Sequence, residues 1–131
     1  MIGWDFVNND NNPFDDQGHG THVAGIIGAK RNNQIGIAGV NSSARLMALK
    51  SFDANGNGSL SSILPALEYA RQMGVKVTNN SWGGNAFSQF LFNEIELADL
   101  SGGVFVAAAG NHGLDLGLYP GYPASLSLIH I

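Results

Sequence analysis

Apolar residues in this chain change their spacing several times, and each change marks an element. Ile63, Leu67, Ala70 and Met73 recur at intervals of four, three and three, which places them on one face of an α-helix. Ser61 or Ser62 can cap that helix, Pro65 falls in its first turn, and Gly74 ends it. A second helix is predicted over residues 88–101, with Phe87, Leu91, Ile95 and Ala98 on one stripe and Glu94, Glu96 and Asp99 mostly off it. Residues 45–52 (RLMALKSF) read as a buried strand with the turn DANGNGS behind it, and residues 75–81 (VKVTNNS) as another strand. Residues 104–111 (VFVAAAGN) are continuously apolar up to a closing Gly-Asn, as expected of a parallel strand covered on both faces.

Upstream of residue 45 the pattern is weaker. Residues 5–18 are rich in Asn, Asp and Pro and read as a long surface loop, and a short helix is predicted over 22–29. KRNNQIGIAGV then returns to loop character. Strand, helix, strand, helix, strand is the alternation that builds a parallel sheet with helices on both faces, so the predicted class is α/β. Ligands of such sheets sit at the carboxyl ends of the strands. Here that edge comprises NGNGS, NNSWGG and AAGNHG.

Composition narrows the partners. At 131 residues, 44% hydrophobic and 12% charged, the chain has the make-up of one folded domain, not of a disordered segment. The formal charge of −4 is uneven: residues 1–18 hold Asp5, Asp10, Asp15 and Asp16 with no Lys or Arg. An acidic segment of this kind suggests a solvated loop or a cation site and argues against nucleic acid. There is no cysteine, so thiolate metal sites and disulfides are excluded. No apolar run approaches the roughly 18 residues of a membrane span, and the first residues lack the basic start and apolar stretch of a signal peptide.

The richest chemistry lies in GHGTHVAGI, residues 18–26. Its two histidines permit a catalytic base, a metal pair, or a glycine turn entering a helix. Zinc helices of the His-Glu-x-x-His type use i, i+4 spacing, whereas His19 and His22 are i, i+3, with His19 placed ahead of the predicted helix. Ser81 in NNSWG has half of a Gly-x-Ser-x-Gly nucleophile elbow, with His112 or His130 downstream, but the first glycine is missing and GGNAF separates the serine from its helix.

DDQGHGTHVAGIIGA, NNQIGIAGV, NNSWGG, FVAAAGN and YPAS occur in an order and spacing that resembles the subtilisin-like serine proteases, from about Gly3 to Ser125. The resemblance implies that His19 is the general base that takes the proton of a serine nucleophile, and that His22 is a structural neighbour. It implies that Asn111 donates its amide to the oxyanion of a tetrahedral intermediate. Ser81, Trp82 and Gly83, with Gly56, Asn57 and Gly58, correspond to the two segments that flank an extended peptide, where backbone groups pair with substrate as added strands. Leu60 would line an apolar pocket, and Ala108 to Gly110 would wall the primary specificity pocket. RNNQIGI resembles a calcium loop, with Asn33 giving a side-chain oxygen and Arg31, Ile35 and Ile37 backbone carbonyls. Peptide or protein substrates, a monomer when full length, and secretion are further implications.

The family's aspartate turn, Asp-Ser/Thr-Gly, and its nucleophile block, Gly-Thr-Ser, are both missing from these residues. The chain therefore reads as the middle of a catalytic domain over residues 1–125, incomplete at both ends and inactive alone. Residues 126–131 (LSLIHI) leave the pattern and read as a truncated reading frame or an assembly scar. The competing reading is a peptide-binding module that kept the substrate strands without the triad.

Overall fold

Gly3 has no side chain, and a Cβ there would collide with the carbonyl of Ala48. That close approach lets a three-residue strand form in a stretch with no alternating pattern. It is seen in a computed structural model, which describes residues 3–127. The chain falls into two units, Met1–Ala66 and Leu67–Ile131.

In the first unit, β1 (Gly3–Asp5) pairs in parallel with β2 (Ala48–Lys50), and α1 (His19–Gly28) lies between them in sequence. The register sets Gly3 against Ala48, Trp4 against Leu49 and Asp5 against Lys50. β1 was not expected, and β2 is shorter than the predicted 45–52, because Arg45 and Leu46 are exposed and unpaired in the ladder. No residue of α1 is buried. Its last turn is closed by the returning chain: Gly39, Val40 and Asn41 donate their N–H groups to the carbonyls of Ala29, Ile26 and Ile27 at 2.9, 3.0 and 2.9 Å. Gly39 is required there, since a Cβ would come within 2.8 Å of the Gly28 Cα.

α2 (Leu60–Gln72) begins one residue before the proposed serine caps. Ser62 is buried and donates its hydroxyl to the Ser51 carbonyl at 2.8 Å, anchoring the helix to the end of β2. Pro65 consequently sits in the second turn. Its missing N–H removes the bond to the Ser61 carbonyl, at an exposed position. On the predicted stripe Ile63 and Ala70 are buried, whereas Met73 lies past the helix end and is 54% exposed.

In the second unit β3 (Val77–Asn80) pairs in parallel with β4 (Val104–Ala107), in the register Val77 to Val104 through Asn80 to Ala107. α3 (Gln89–Leu100) connects them, capped by the Ser88 hydroxyl, which accepts the Leu91 N–H at 3.3 Å. Leu91 and Ile95 are the buried members of its stripe. Phe87 stands outside the helix, with its ring edge-on to Tyr122 at a centroid distance of 5.5 Å.

The helices and parallel strands are those of a partial α/β fold, as expected, and among the described residues each unit carries a two-stranded parallel sheet. One expectation needs correction. β4 is not covered on both faces: Phe105 and Ala107 are buried, while Val104 is 41% exposed. The continuous apolar run hides an alternating strand. Of the off-pattern tail, residues 128–131, including His130, lie outside the described residues.

Candidate functional site

Both βαβ motifs present their candidate residues after the carboxyl ends of their strands. In the first unit the chain leaves β1, closes a small bridge between Asp5 and Asp10, and reaches α1 through residues 11–18. His19 is the first residue of that helix, three residues earlier than predicted, so both histidines are helical and exposed. Among the described residues no three His, Cys, Asp or Glu side chains gather as a metal site.

The early helix start has a physical cause that the residue pattern did not reveal. Gly18 occupies the N-cap with φ 98° and ψ −20°, a left-handed conformation suited to glycine, and it offers no side-chain acceptor. Gln17 Oε1 accepts the His19 N–H at 2.8 Å, and Asp15 Oδ2 accepts the Thr21 N–H at 2.7 Å and the Thr21 hydroxyl at 2.6 Å. The Thr21 hydroxyl, followed by the backbone N–H groups, holds the Asp15 carboxyl far below the usual carboxylate range. Asp16 turns the other way, 3.2 Å from Lys50 Nζ, which also lies 3.3 Å from Asp5 Oδ2. Burial pushes the Asp5 carboxyl up, but bonds from Asn8, Val7 and Lys50 outweigh it and leave it lowered. Burial likewise pushes the Lys50 ammonium down, and Asp16 and Asp5 reverse the direction. This acidic stretch is therefore not a purely solvated loop.

The segment 53–58 also belongs to this edge. Asp53 folds it, its Oδ1 accepting the N–H groups of Asn55 and Asn57 at 2.9 Å each. Phe52 and Gly58 form an antiparallel bridge, and a Cβ on Gly56 would meet Gln17 Nε2 at 3.8 Å. The Gln17 amide thus stands between the His19 backbone and Gly56. Gly56, Asn57, Gly58 and Leu60 are all exposed.

In the second unit parallel pairing makes residues 81–83 and 108–111 emerge from the same end of β3 and β4. The Ala108 N–H donates to the Asn80 carbonyl at 3.1 Å, carrying the pairing one step beyond the strands. Ser81 is half-buried, and its Oγ accepts from Asn79 Nδ2 at 2.9 Å. Trp82 packs edge-on to Phe105 at 6.3 Å. Gly83 is exposed, and Gly84 exchanges N–H and C=O bonds with Tyr122 at 2.8 and 2.7 Å, joining the NNSWGG and YPAS segments. No helix follows Ser81 until Gln89, which a nucleophile elbow would need at once. Ala108, Gly110 and Asn111 are exposed, with Gly110 at φ 96°. His19 and Asn111 belong to different units.

The proposed calcium loop is exposed throughout residues 31–37, with left-handed Asn32, Gln34 and Gly36 at alternate positions. Asn33 Oδ1 accepts the Ile35 N–H at 3.1 Å, and Arg31 Nη2 donates to the Val40 carbonyl at 2.7 Å. One amide oxygen and three carbonyls make four neutral donors, short of calcium's usual six to eight oxygens, at least some of them carboxylate. These residues alone do not fit the ion.

The sequence does not single out Gln17 or Lys50, and it gives Asp15 only as part of an acidic segment. No local signal marks them, because the predicted start at His22 has Thr21, an ordinary capping residue, before it.

The Subtilase family profile (Peptidase S8) matches residues 1–128. A thermophilic serine proteinase of Bacillus sp. (strain AK1) is 47% identical over 111 residues, which are 85% of this chain and 28% of that protein. Thermitase of Thermoactinomyces vulgaris is 42% identical over 120 residues, 92% of this chain and 43% of thermitase. Subtilisin Savinase of Lederbergia lenta is 44% identical over 118 residues, 90% of this chain and 44% of Savinase. The chain spans less than half the length of each of these relatives. With its parallel βαβ motifs and the HGTHVAG block opening α1, the chain belongs to the subtilase family.

Proposed function

We propose that this chain forms the central part of a serine endopeptidase that cleaves peptide bonds through an acyl-enzyme. His19 is the general base and Asn111 the oxyanion donor. Ser81, Trp82 and Gly83 on one side, and Gly56, Asn57 and Gly58 on the other, bind an extended peptide or protein substrate, with Leu60, Ala108 and Gly110 lining side-chain pockets. The observation that carries the reading is the placement of His19: exposed on the first residue of α1, beside the Gln17 amide that faces Gly56.

The 131 residues include no Asp-Ser/Thr-Gly turn and no Gly-Thr-Ser block. The isolated chain therefore hydrolyses peptides negligibly, and the two other triad members come from segments outside it. Asn33 with the carbonyls of Arg31, Ile35 and Ile37 contributes part of a structural calcium shell, completed by a carboxylate from elsewhere. The full-length enzyme acts as a monomer and is secreted; relatives such as the minor extracellular protease Epr of Bacillus subtilis support the secretion alone. No described helix is long and apolar enough to cross a membrane.

A chimaera tests the roles directly. Residues 3–125 replace the matching segment of thermitase, and the hybrid is assayed on a peptide anilide. His19→Ala should then lower kcat by about 10⁶-fold, the loss known for the base of subtilisin. Asn111→Leu should lower it by about 10²–10³-fold, as for subtilisin's own oxyanion asparagine. An active hybrid indifferent to His19→Ala would sink the assignment. Robust hydrolysis by the 131-residue chain, labelled by a serine-directed phosphonate, would refute its inactivity. Tight peptide binding by that chain, with no activity in the hybrid, would favour the non-enzymatic module.

A further inference from the structure

Helix α1 begins without a cap of its own. Gly18 has no side chain, and the first intrahelical bond, from the His22 N–H to the Gly18 carbonyl at 3.0 Å, leaves the first-turn N–H groups in need of acceptors. Asp15 supplies most of what is missing. Its Oδ1 accepts from the N–H groups of Gly18 and Gln17 at 2.8 and 3.1 Å, and its Oδ2 from the Thr21 N–H and hydroxyl at 2.7 and 2.6 Å. Gln17, held in this way by its own N–H, returns Oε1 to the His19 N–H at 2.8 Å. One carboxylate thus grips the backbone on both sides of His19 and steadies the residue that grips His19 itself.

We propose that Asp15 is a positioning residue for His19: its carboxylate locks the turn 15–18 onto the first turn of α1 and so fixes where the histidine backbone stands. The catalytic meaning of that lock rests on the reading of His19 as base; the lock itself does not. Asp15 works through backbone bonds, so its role is placement of the histidine. The adjacent Asp16 faces Lys50 at 3.2 Å, and Lys50 faces Asp5 at 3.3 Å, so the same turn is tied to the β1–β2 pair by its neighbour. Two consecutive carboxylates divide the work, one holding the helix and one the sheet.

Both oxygens of Asp15 are needed. An asparagine offers one acceptor oxygen and turns an NH₂ donor towards either the Thr21 side or the Gly18 side, where donors already stand. Asp15→Asn is therefore a disruptive change here, although Asn and Asp are comparable at an ordinary N-cap. Thr21 supplies a subtler pair: Thr21→Ser keeps the hydroxyl donor and Thr21→Val removes it.

The test is amide hydrogen exchange and backbone couplings by NMR on the full 131-residue chain. In the parent, the Gly18, His19 and Thr21 amides should be protected. The Gly18 and Thr21 amide shifts should titrate together, with one midpoint below the ordinary carboxylate range. Asp15→Asn should remove protection at these three amides by about 10- to 100-fold, the scale of a hydrogen bond to a charged group. The His19 φ coupling should average towards coil values while the amides of residues 23–28 keep their shifts. Thr21→Val should give a smaller loss, and Thr21→Ser should restore parent behaviour. The proposal is overturned if the His19 coupling and the Thr21 exchange are unchanged in Asp15→Asn. It is equally overturned if residues 23–28 lose protection to the same extent, since Asp15 would then support the whole helix. Should Asp15→Asn not fold, the valine and serine variants decide the matter: equal protection in the two overturns the lock. A failed His19→Ala result in the chimaera would remove the base and leave these measurements standing.

Discussion

The two units use the same motif, a pair of parallel strands joined through a helix, and hold it together by different means. In the second unit the helix is held by apolar packing: Leu91 and Ile95 of α3 are buried, as are Phe105 and Ala107 of β4. In the first unit α1 buries no residue at all, and the buried side chains of the β1–β2 region include Asp5 and Ser51. There the ties are polar: Asp15 to the helix, Asp16 and Asp5 to Lys50, and Ser62 to the Ser51 carbonyl. An apolar contact is non-directional and tolerates small shifts, whereas a hydrogen-bonded carboxylate fixes geometry within a few tenths of an ångström. The unit that carries His19 uses the directional kind.

The chain carries one tryptophan in each unit, Trp4 in β1 and Trp82 after β3, so the contrast can be measured by fluorescence. The largest effect is expected in the apolar unit. Ile95 is 1% exposed, and Ile95→Ala should cost about 3 kcal/mol through lost transfer energy and a cavity, read from Trp82 in urea with Trp4 replaced by Phe. A loss below about 1 kcal/mol would mean that this core is not what holds α3.

Next comes Lys50→Met in the polar unit. The change leaves Asp5, 2% exposed, without its cation, yet Val7 N, Asn8 N and Asn8 Nδ2 still donate to it at 2.8, 2.9 and 2.9 Å. The expected cost is about 2 kcal/mol, below the roughly 3–5 of an uncompensated buried charge. It is followed from Trp4 with Trp82 replaced by Phe. No change would show that the three hydrogen bonds suffice.

Acidification should separate the units with a smaller effect. The Asp5 and Asp15 carboxyls are both lowered from an ordinary value of 3.8, so their contribution is fully present above that value and fades as pH falls through the folded-state values. The Lys50 ammonium is raised from 10.5, so its contribution is present below that value and is lost only as pH climbs past it. Between these limits the contribution of these three groups should not change with pH. Below about pH 4 the Trp4-reported urea midpoint should fall more steeply than the Trp82-reported one. Parallel curves would contradict the division into polar and apolar ties.

The same contrast explains what was legible in the residues. α3 and most of α2 announce themselves because apolar burial leaves a periodic trace: Leu91 and Ile95, or Ile63 and Ala70, at helical spacing. β1 leaves none, since three residues including Gly3 and Asp5 pair with β2 through a close approach and a charge. The start of α1 was misplaced for a related reason. Its acceptors come from Asp15 and Gln17, and the Asp15–Thr21 relation spans six residues with no repeating pattern to mark it. The candidate site was legible as motifs, HGTHVAG, NNSWGG and AAGN, while the side chains that hold the first of them in place were not.

The smallest effects concern where each helix finds its cap, and they sharpen the contrast most directly. Ser88 is the immediate N-cap of α3, extended at φ −130° and ψ 120°, and its own hydroxyl accepts from Leu91. Ser88→Ala should cost about 1 kcal/mol and Ser88→Asp should restore it, because the acceptor is local. Gly18 cannot be improved in the same way. A serine there would need the left-handed φ of 98°, at a cost of about 1–2 kcal/mol, and the N–H groups it would serve already have acceptors in Asp15 and Gln17. Gly18→Ser should therefore destabilise the first unit, although a serine N-cap ordinarily stabilises a helix. If Gly18→Ser were instead stabilising by Trp4 fluorescence in urea, α1 would accept a local cap, and the carboxylate lock at Asp15 would be dispensable.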